Sequence, residues 1–259
     1  MIQAKCQIVE KKQVAEKIFV MVFEHAVIAS KSKPGQFVHI NLGPGSVLRR
    51  PFSVYDTYRD TFSILFQVVG SGTNRLATYR PAQSLDVIGP LGHGYPLEGE
   101  KPVLVGGGMG LASLKLLHKR FIDSKKDDVR VILGFSSNVC AVEWPEADVC
   151  TEDGSLGKKG IVTGLLNEEL KSGADAVYAC GPEAMLKKVG DATKGKKIPT
   201  YLCLERYMAC GVGACLSCVC ETKTGLKRVC REGPVFKSDD IIFNETGEKK
   251  NSAKKKKET

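Results

Sequence analysis

The sequence lacks any apolar run approaching the ~18 residues that a membrane-crossing helix needs. Met1 to Glu10 lacks the apolar core of a secretory signal and reads as the start of a strand. A soluble, cytoplasmic protein is therefore expected. No segment repeats another, which excludes a solenoid. No aromatic-and-basic motif accompanies the positive charge, so neither nucleic acid nor membrane is expected as a partner. The charge itself, +9 in total, is uneven: Glu248 to Thr259 holds six Lys and two Glu and so supplies +4 of it. That tail, 244–259, is the only low-complexity segment and is expected to be disordered. Evenly spread cysteines, the mark of a disulfide framework, are also missing. Six of the ten lie between Cys203 and Cys230, which favours a metal site.

What is present divides into three parts, and 259 residues give room for two compact domains and a small module. Residues 1–98 hold short strand-like runs, Phe19–Phe23, Phe37–Leu42 and Phe62–Val69. They are separated by the turn signals Lys33-Pro34-Gly35, Gly43-Pro44-Gly45 and Gly70-Ser71-Gly72. This pattern predicts a small antiparallel β-barrel. Over 99–200 the pattern changes to apolar strands, Val103–Val105, Val129–Phe135, Val149–Thr151 and Ala176–Cys180, alternating with helical segments. Such alternation predicts an α/β domain with a parallel sheet. Residues 201–243 are short, loop-rich and dense in cysteine.

The cysteines carry the sharpest signal. Cys210, Cys215, Cys218 and Cys230 have the spacing C-x4-C-x2-C…C, which suits a 2Fe–2S cluster held by four thiolates. Gly211 and Gly213 would let the loop fold tightly and aim amides at sulfur. A four-cysteine zinc site is the competing reading, although zinc sites more often use two C-x2-C pairs. Cys220 is expected beside the ligands rather than among them, and Cys203 in the core.

Two further groups bear on nucleotides. In Arg49-Arg50-Pro51-Phe52-Ser53, placed at a strand end, an arginine can neutralise a pyrophosphate, a hydroxyl can reach a flavin ring and Phe52 offers an aromatic face. After the Phe62–Val69 strand, Gly72 and Thr73 open a helical segment and make a second anion-binding element. Together the two suit FAD, while Gly70–Gly72 alone would be an ordinary turn. Gly106-Gly107-Gly108-Met109-Gly110 joins a strand to a helix, though without the full G-x-G-x-x-G pattern. Cys180-Gly181-Pro182 ends a later strand in the same manner. Glycine at such strand ends lets a dinucleotide approach the backbone, and a small residue such as Cys180 can meet a nicotinamide ring or simply be a buried thiol.

The order of these motifs resembles the ferredoxin–NADP reductase superfamily. The segments Met-Ala-Cys-Gly-Val-Gly-Ala-Cys-Leu-Ser-Cys-Val-Cys and Arg-Val-Cys-Arg-Glu-Gly-Pro-Val-Phe resemble the electron-transfer subunits of class 1B dihydroorotate dehydrogenases, over residues 1 to 243. The resemblance implies FAD contacts at Arg50, Pro51, Phe52, Ser53, Leu65, Phe66, Gln67, Gly72 and Thr73. It implies NAD contacts at Gly106 to Gly110 and at Cys180, Gly181 and Pro182, and cluster ligation by the four cysteines. Gly89–Gly92 and Thr151–Ser155 match the family pattern without an assigned role. It further implies an FMN-containing catalytic partner, in a two-plus-two heterotetramer serving pyrimidine biosynthesis. Electrons from dihydroorotate would pass through 2Fe–2S and FAD to NAD⁺. Without its partner the chain is expected to be inert on dihydroorotate, since no proton-abstracting site is evident. Two alternatives stay open: the reductase subunit of another complex (ferredoxin–NADP oxidoreductase, sulfide dehydrogenase or hydrogenase type), and a zinc-stapled nucleotide-binding module without a redox role.

Overall fold

The computed structural model describes residues 1–43, 45–126 and 128–243. Pro44, in the expected Gly43-Pro44-Gly45 turn, and the lysine-rich tail 244–259 lie outside the described residues.

The first sheet is built from β1 (Ile2–Ala15), β2 (Ile18–Glu24), β3 (Phe37–Asn41), β4 (Arg50–Ser53), β5 (Asp56–Tyr58), β6 (Thr61–Gln67) and β7 (Ser84–Leu91). Helix α1 (Ala26–Lys31) follows β2, and α2 (Ser71–Thr78) follows β6. All ladders are antiparallel, in the order β4-β3-β7-β1-β2-β6-β5. The two edge strands, β4 and β5, are consecutive in the chain and joined only by Val54-Tyr55. Within that link Val54 N donates to Gln36 O (2.9 Å) and Tyr55 N donates to Ser63 O (2.8 Å). The sheet must therefore curl until its edges meet, as a barrel does. Alternate residues of β7 point inward. The interior is filled by Ile8, Ile40, Leu42 and the stacked pair Phe23 and Phe62, whose ring centroids are 5.2 Å apart. The Arg-Pro-x-Ser run forms its own edge strand rather than the end of a longer one. Pro51 has no N–H to donate, and an edge position tolerates that.

The second sheet comprises β8 (Pro102–Gly107), β9 (Arg130–Phe135), β10 (Ala147–Thr151), β11 (Lys158–Lys159), β12 (Ala176–Cys180) and β13 (Thr200–Cys203), all parallel. Its order is β11-β10-β9-β8-β12-β13. Helices α3 (Lys115–Asp123), α4 (Val162–Lys171) and α5 (Glu183–Thr193) connect β8 to β9, β11 to β12 and β12 to β13. Strands β8 and β12 are buried along their whole length, which is why they read as unbroken apolar runs rather than alternating ones. The strand order reverses beside β8: the chain runs outward through β9 and β10, then returns to β12. A crevice opens at the carboxyl ends of the strands at such a reversal. The glycine run ends β8 there, and Cys180 ends β12.

The helical segment expected after the glycines is split. A 3-10 turn covers Gly108–Ser113 before α3 begins. The glycines impose this. Gly108 has φ +51°, and a Cβ on Gly110 would stand 2.1 Å from the Cys180 carbonyl oxygen. The turn thus packs against β12 more closely than any side chain allows.

The last part carries the hairpin β14 (Val219–Thr222) and β15 (Gly225–Arg228), then β16 (Val235–Lys237). Strand β16 pairs antiparallel with β13 and extends the second sheet. The cysteine-rich segment is therefore stitched to the α/β layer and not merely tethered to it. Among the described residues no helix is long and apolar enough to cross a membrane.

Candidate functional site

The cysteine loop reverses direction by three left-handed residues, Gly211 (φ +71°), Gly213 (φ +88°) and Leu216 (φ +58°). These turns gather the thiols two and two. Cys210 lies with Cys215, and Cys218 with Cys230, whose amide donates to Cys218 Sγ (3.4 Å). Burial alone would raise Cys210, but amide N–H groups of Val212, Cys215 and Ala214 outweigh it and bring the thiol down to about 6. Cys230 is pushed up to about 12, first by burial and then by its hydrogen bond with Cys218. Arg228 braces the loop, donating from Nη1 to Gly213 O (2.9 Å) and pairing with Glu232. Among the described residues no three Cys, His, Asp or Glu side chains converge on one metal-sized point. A two-iron cluster takes two thiolates per iron, and the pairing of Cys210 with Cys215 and of Cys218 with Cys230 suits it. The donor set thus fits 2Fe–2S. Cys215 is exposed, with Leu216 exposed beside it. Cys220 is buried next to the ligands and Cys203 is buried in β13.

A cavity of about 610 Å³ lies between the barrel and the second sheet, a size usual for cofactor sites. Pro51, Phe52 and Ser53 of β4, Leu65, Phe66 and Gln67 of β6, and Thr73 of α2 line its barrel side. Met109 and Cys180 line the opposite side. Arg50 and Gly72 stand together just outside the lining: a Cβ on Gly72 would be 3.2 Å from Arg50 Nε. The two arginines of this run have separate fates. Arg49 is tied to Asp86 (Nη2 to Oδ2, 2.7 Å) and to the Asp86 carbonyl. Arg50 donates only to the carbonyls of Leu48 and Arg49 and has no carboxylate partner among the described residues. A cation without a counter-ion at the opening turn of α2 fits a pyrophosphate. Thr73 Oγ1 accepts from the amides of Val69 (2.9 Å) and Gly70 (3.2 Å) and so holds that turn.

A second cavity, about 430 Å³, occupies the crevice at the strand reversal. Gly107, Gly108, Met109 and Pro182 line it. Gly106, Gly110 and Gly181 sit behind the wall, where their bare Cα atoms let neighbouring backbone and side chains close up. Gln67 and Met109 line both cavities, so the two meet there. Cys180 is opposite Cys203 in the ladder of β12 and β13. A hydrogen bond between the two thiols, with burial, raises Cys180 well above the usual thiol range. It is a neutral, unreactive lining atom and not a nucleophile.

Sequence reasoning missed several lining residues. Gly134 and Phe135 end β9, Ser136 and Glu152 follow β9 and β10, and Ile161 to Thr163 open α4. The rule that ligands sit at the carboxyl ends of parallel strands could have found the first four. The run Leu204 to Met208 crosses the first cavity on its way to Cys210, and only Met208 of it falls in a segment that carries the resemblance. His39 was also overlooked. It is wholly buried in β3, and burial holds its imidazole down to about 4, so the ring is neutral at neutral pH.

A barrel and a parallel sheet that share a cavity, with a cysteine loop joined to it through Leu204 to Met208, are the parts of an electron-transfer reductase of the ferredoxin-reductase type. A chain from an NADH-dependent reduced ferredoxin–NADP oxidoreductase structure superposes with a TM-score of 0.81 at 28% identity, covering 92% of this chain and 90% of that one. Phthalate dioxygenase reductase shares the fold, with a TM-score of 0.64 at 16% identity over 85% of this chain and 87% of that one. Residues 205–242 match the family model described as the iron-sulfur cluster binding domain of dihydroorotate dehydrogenase B. The dihydroorotate dehydrogenase B (NAD(+)) electron transfer subunit of Caldanaerobacter subterraneus subsp. tengcongensis is 38% identical, over 92% of this chain and 98% of its own length. That of Bacillus cereus strain 03BB102 is also 38% identical, over 91% and 97%. The chain belongs to the family of dihydroorotate dehydrogenase B electron transfer subunits.

Proposed function

We propose that this chain is the electron-transfer subunit of an NAD-linked dihydroorotate dehydrogenase, working beside a catalytic subunit that oxidises dihydroorotate. One observation carries the reading: the three candidate sites lie in series. The cysteine loop runs into the first cavity through Leu204 to Met208, and the first cavity opens on the second at Gln67 and Met109. When bound, a 2Fe–2S cluster supplies one-electron transfer, and FAD supplies the conversion between single electrons and hydride.

The residues have separate tasks. Cys210, Cys215, Cys218 and Cys230 would hold the cluster, with Arg228 keeping their loop in shape. Arg50 and the opening turn of α2 would hold the FAD pyrophosphate. Pro51 to Ser53, Leu65 to Gln67 and Thr73 would wall the flavin ring and exclude water. Gly107, Gly108, Met109 and Pro182 would seat the nicotinamide nucleotide, and neutral Cys180 would close the floor at the ring without competing chemistry. We read NAD rather than NADP: among the described residues the second cavity is lined by Glu152 and by one cation, Lys188 of α5, and the similar electron transfer subunits are NAD(+)-linked. A carboxylate suits a ribose hydroxyl and repels a 2′-phosphate. Exposed Cys215, Leu216 and Tyr207 offer the partner a surface beside the loop. The cytoplasm is part of this reading, since ten free thiols suit a reducing compartment.

Purification under anaerobic conditions, with metal and flavin analysis, tests the reading. Two irons and one FAD per chain are expected, with NAD⁺-linked dihydroorotate oxidation only when the catalytic subunit is added. A colourless, zinc-containing protein would contradict it.

A further inference from the structure

One side chain stands where the cysteine loop meets the barrel. His39 is at the middle of β3, opposite Pro51 of β4 in the ladder, and Pro51 lines the first cavity. The imidazole has no exposure. Its strand neighbours Val38 and Ile40 turn into the apolar barrel interior, so the His39 ring lies on the other face of β3, where the cysteine loop covers it. Neither ring nitrogen makes a hydrogen bond of good geometry among the described residues. The polar groups that its ring faces are the peptides of Cys210 and Arg49. Leaving such a group unpaired away from water is costly, where a hydrocarbon of the same size is not.

The other side of the contact is the cysteine loop. A Cβ on Gly211 would lie 2.5 Å from His39 Nδ1, 3.0 Å from Cε1 and 3.1 Å from Cγ. Gly211 is therefore pressed against the imidazole, backbone to ring, at a distance that no other residue type permits. Its neighbour Cys210 is one of the four candidate ligands. The path from ligand loop to flavin-side strand is thus short: Cys210–Gly211, the His39 ring, then Pro51 across one ladder step.

We propose that His39 is a positioning residue that docks the cysteine loop on the flavin side of the barrel, through contact with Gly211 and an N–H directed at the Cys210 peptide. The inference rests on the reading of the loop as a cluster site. It adds that the separation of cluster and flavin is set by this ring and not by the loop alone. An N–H directed at the peptide of a ligand also restrains that ligand's backbone, and restraint near the sulfur is one of the levers on cluster potential and lability.

The test compares His39→Phe, which keeps a ring and removes the N–H, with His39→Gln, which keeps a donor. Holoprotein is dialysed against an iron chelator, and iron release, FAD content and the cluster midpoint potential are followed. The Phe variant is expected to release iron roughly three- to tenfold faster, the factor that follows if the ring N–H completes one hydrogen bond to the Cys210 peptide in the holoprotein. Its midpoint potential should shift while FAD content is unchanged, and the Gln variant should recover most of the loss. Iron release and potential in the Phe variant equal to wild type would overturn the proposal. So would equal damage in both variants with loss of FAD, which marks a packing role for the ring. Wild-type protein that holds no iron would remove the cluster reading itself, an outcome distinct from unchanged variants.

Discussion

The cysteine loop takes three of its four thiols from nine consecutive residues, Cys210 to Cys218. The second cavity gathers its lining from the ends of β8 and β9, the residue after β10, the start of α4 and the turn after β12. The loop is shaped by local backbone conformation, three left-handed residues within six positions. The crevice is shaped by strand order, which no short segment encodes. A site of the first kind should fail alone when a ligand is removed. A site of the second kind should fail together with the packing that brings its strand ends into register.

The largest contrast is expected from Cys215→Ser. Iron content should fall below about a tenth of wild type, because each iron needs both of its thiolates, while FAD content holds. Parallel metal and flavin analysis reads both, and joint loss would break the idea of separable sites. Next comes Gly110→Ala, which tests the crevice. The added carbon would stand 2.1 Å from the Cys180 carbonyl, so the 3-10 turn must lift off the end of β12. A loss of about 3 kcal/mol in stability is expected, at the upper end for overpacking. Weaker NADH binding should accompany it. Unfolding midpoints and NADH titration are the measurements, and normal NADH affinity at wild-type stability would contradict the packing account.

Arg50→Ala should have a smaller and more selective effect. Removing a charged hydrogen-bond donor costs about 1.5–3 kcal/mol, so FAD should dissociate at least tenfold more readily with iron unchanged. Flavin fluorescence after dilution would show it, and unaltered retention would exclude Arg50 from the site. Smallest is Glu232→Gln, at the ion pair that braces the loop. Hydrogen bonds from Arg228 hold the Glu232 carboxyl down to about 2. A lowered carboxylate stabilises above its unfolded pKa of about 4.3, and the stabilisation is lost as pH falls toward 2. The pair is partly exposed, with side-chain exposures of 35% and 32%, so solvent screening leaves less than about 1 kcal/mol. Thermal unfolding should show a shift of a few degrees that stays constant from pH 6 to 8. A shift that varies within that range would point to another group.

The same contrast explains what could be read from the sequence. Glycines and cysteines that impose local geometry were visible: Gly211, Gly213 and the Gly106–Gly110 run. The strand expected at Ala176–Cys180 is β12 to the residue, because full burial on both faces leaves an unbroken apolar run. Residues that matter through pairing were invisible. Glu152 needs the order of β10 and β9 to reach the crevice. His39 needs the barrel to close before it can touch Gly211. The two arginines could not be told apart until Asp86, on β7, was seen to claim Arg49. The split of the helix after Met109 also depends on a distant atom, the Cys180 carbonyl.

The serial arrangement of the three sites is the central claim, and anaerobic titration of the holoprotein with NADH, followed by absorption and electron paramagnetic resonance, tests it most directly. Bleaching of the flavin together with the signal of a reduced 2Fe–2S centre, from NADH alone and without the partner subunit, is the expected result. Flavin that bleaches while the cluster stays oxidised under an excess of NADH, with dithionite still able to reduce it, would contradict the series.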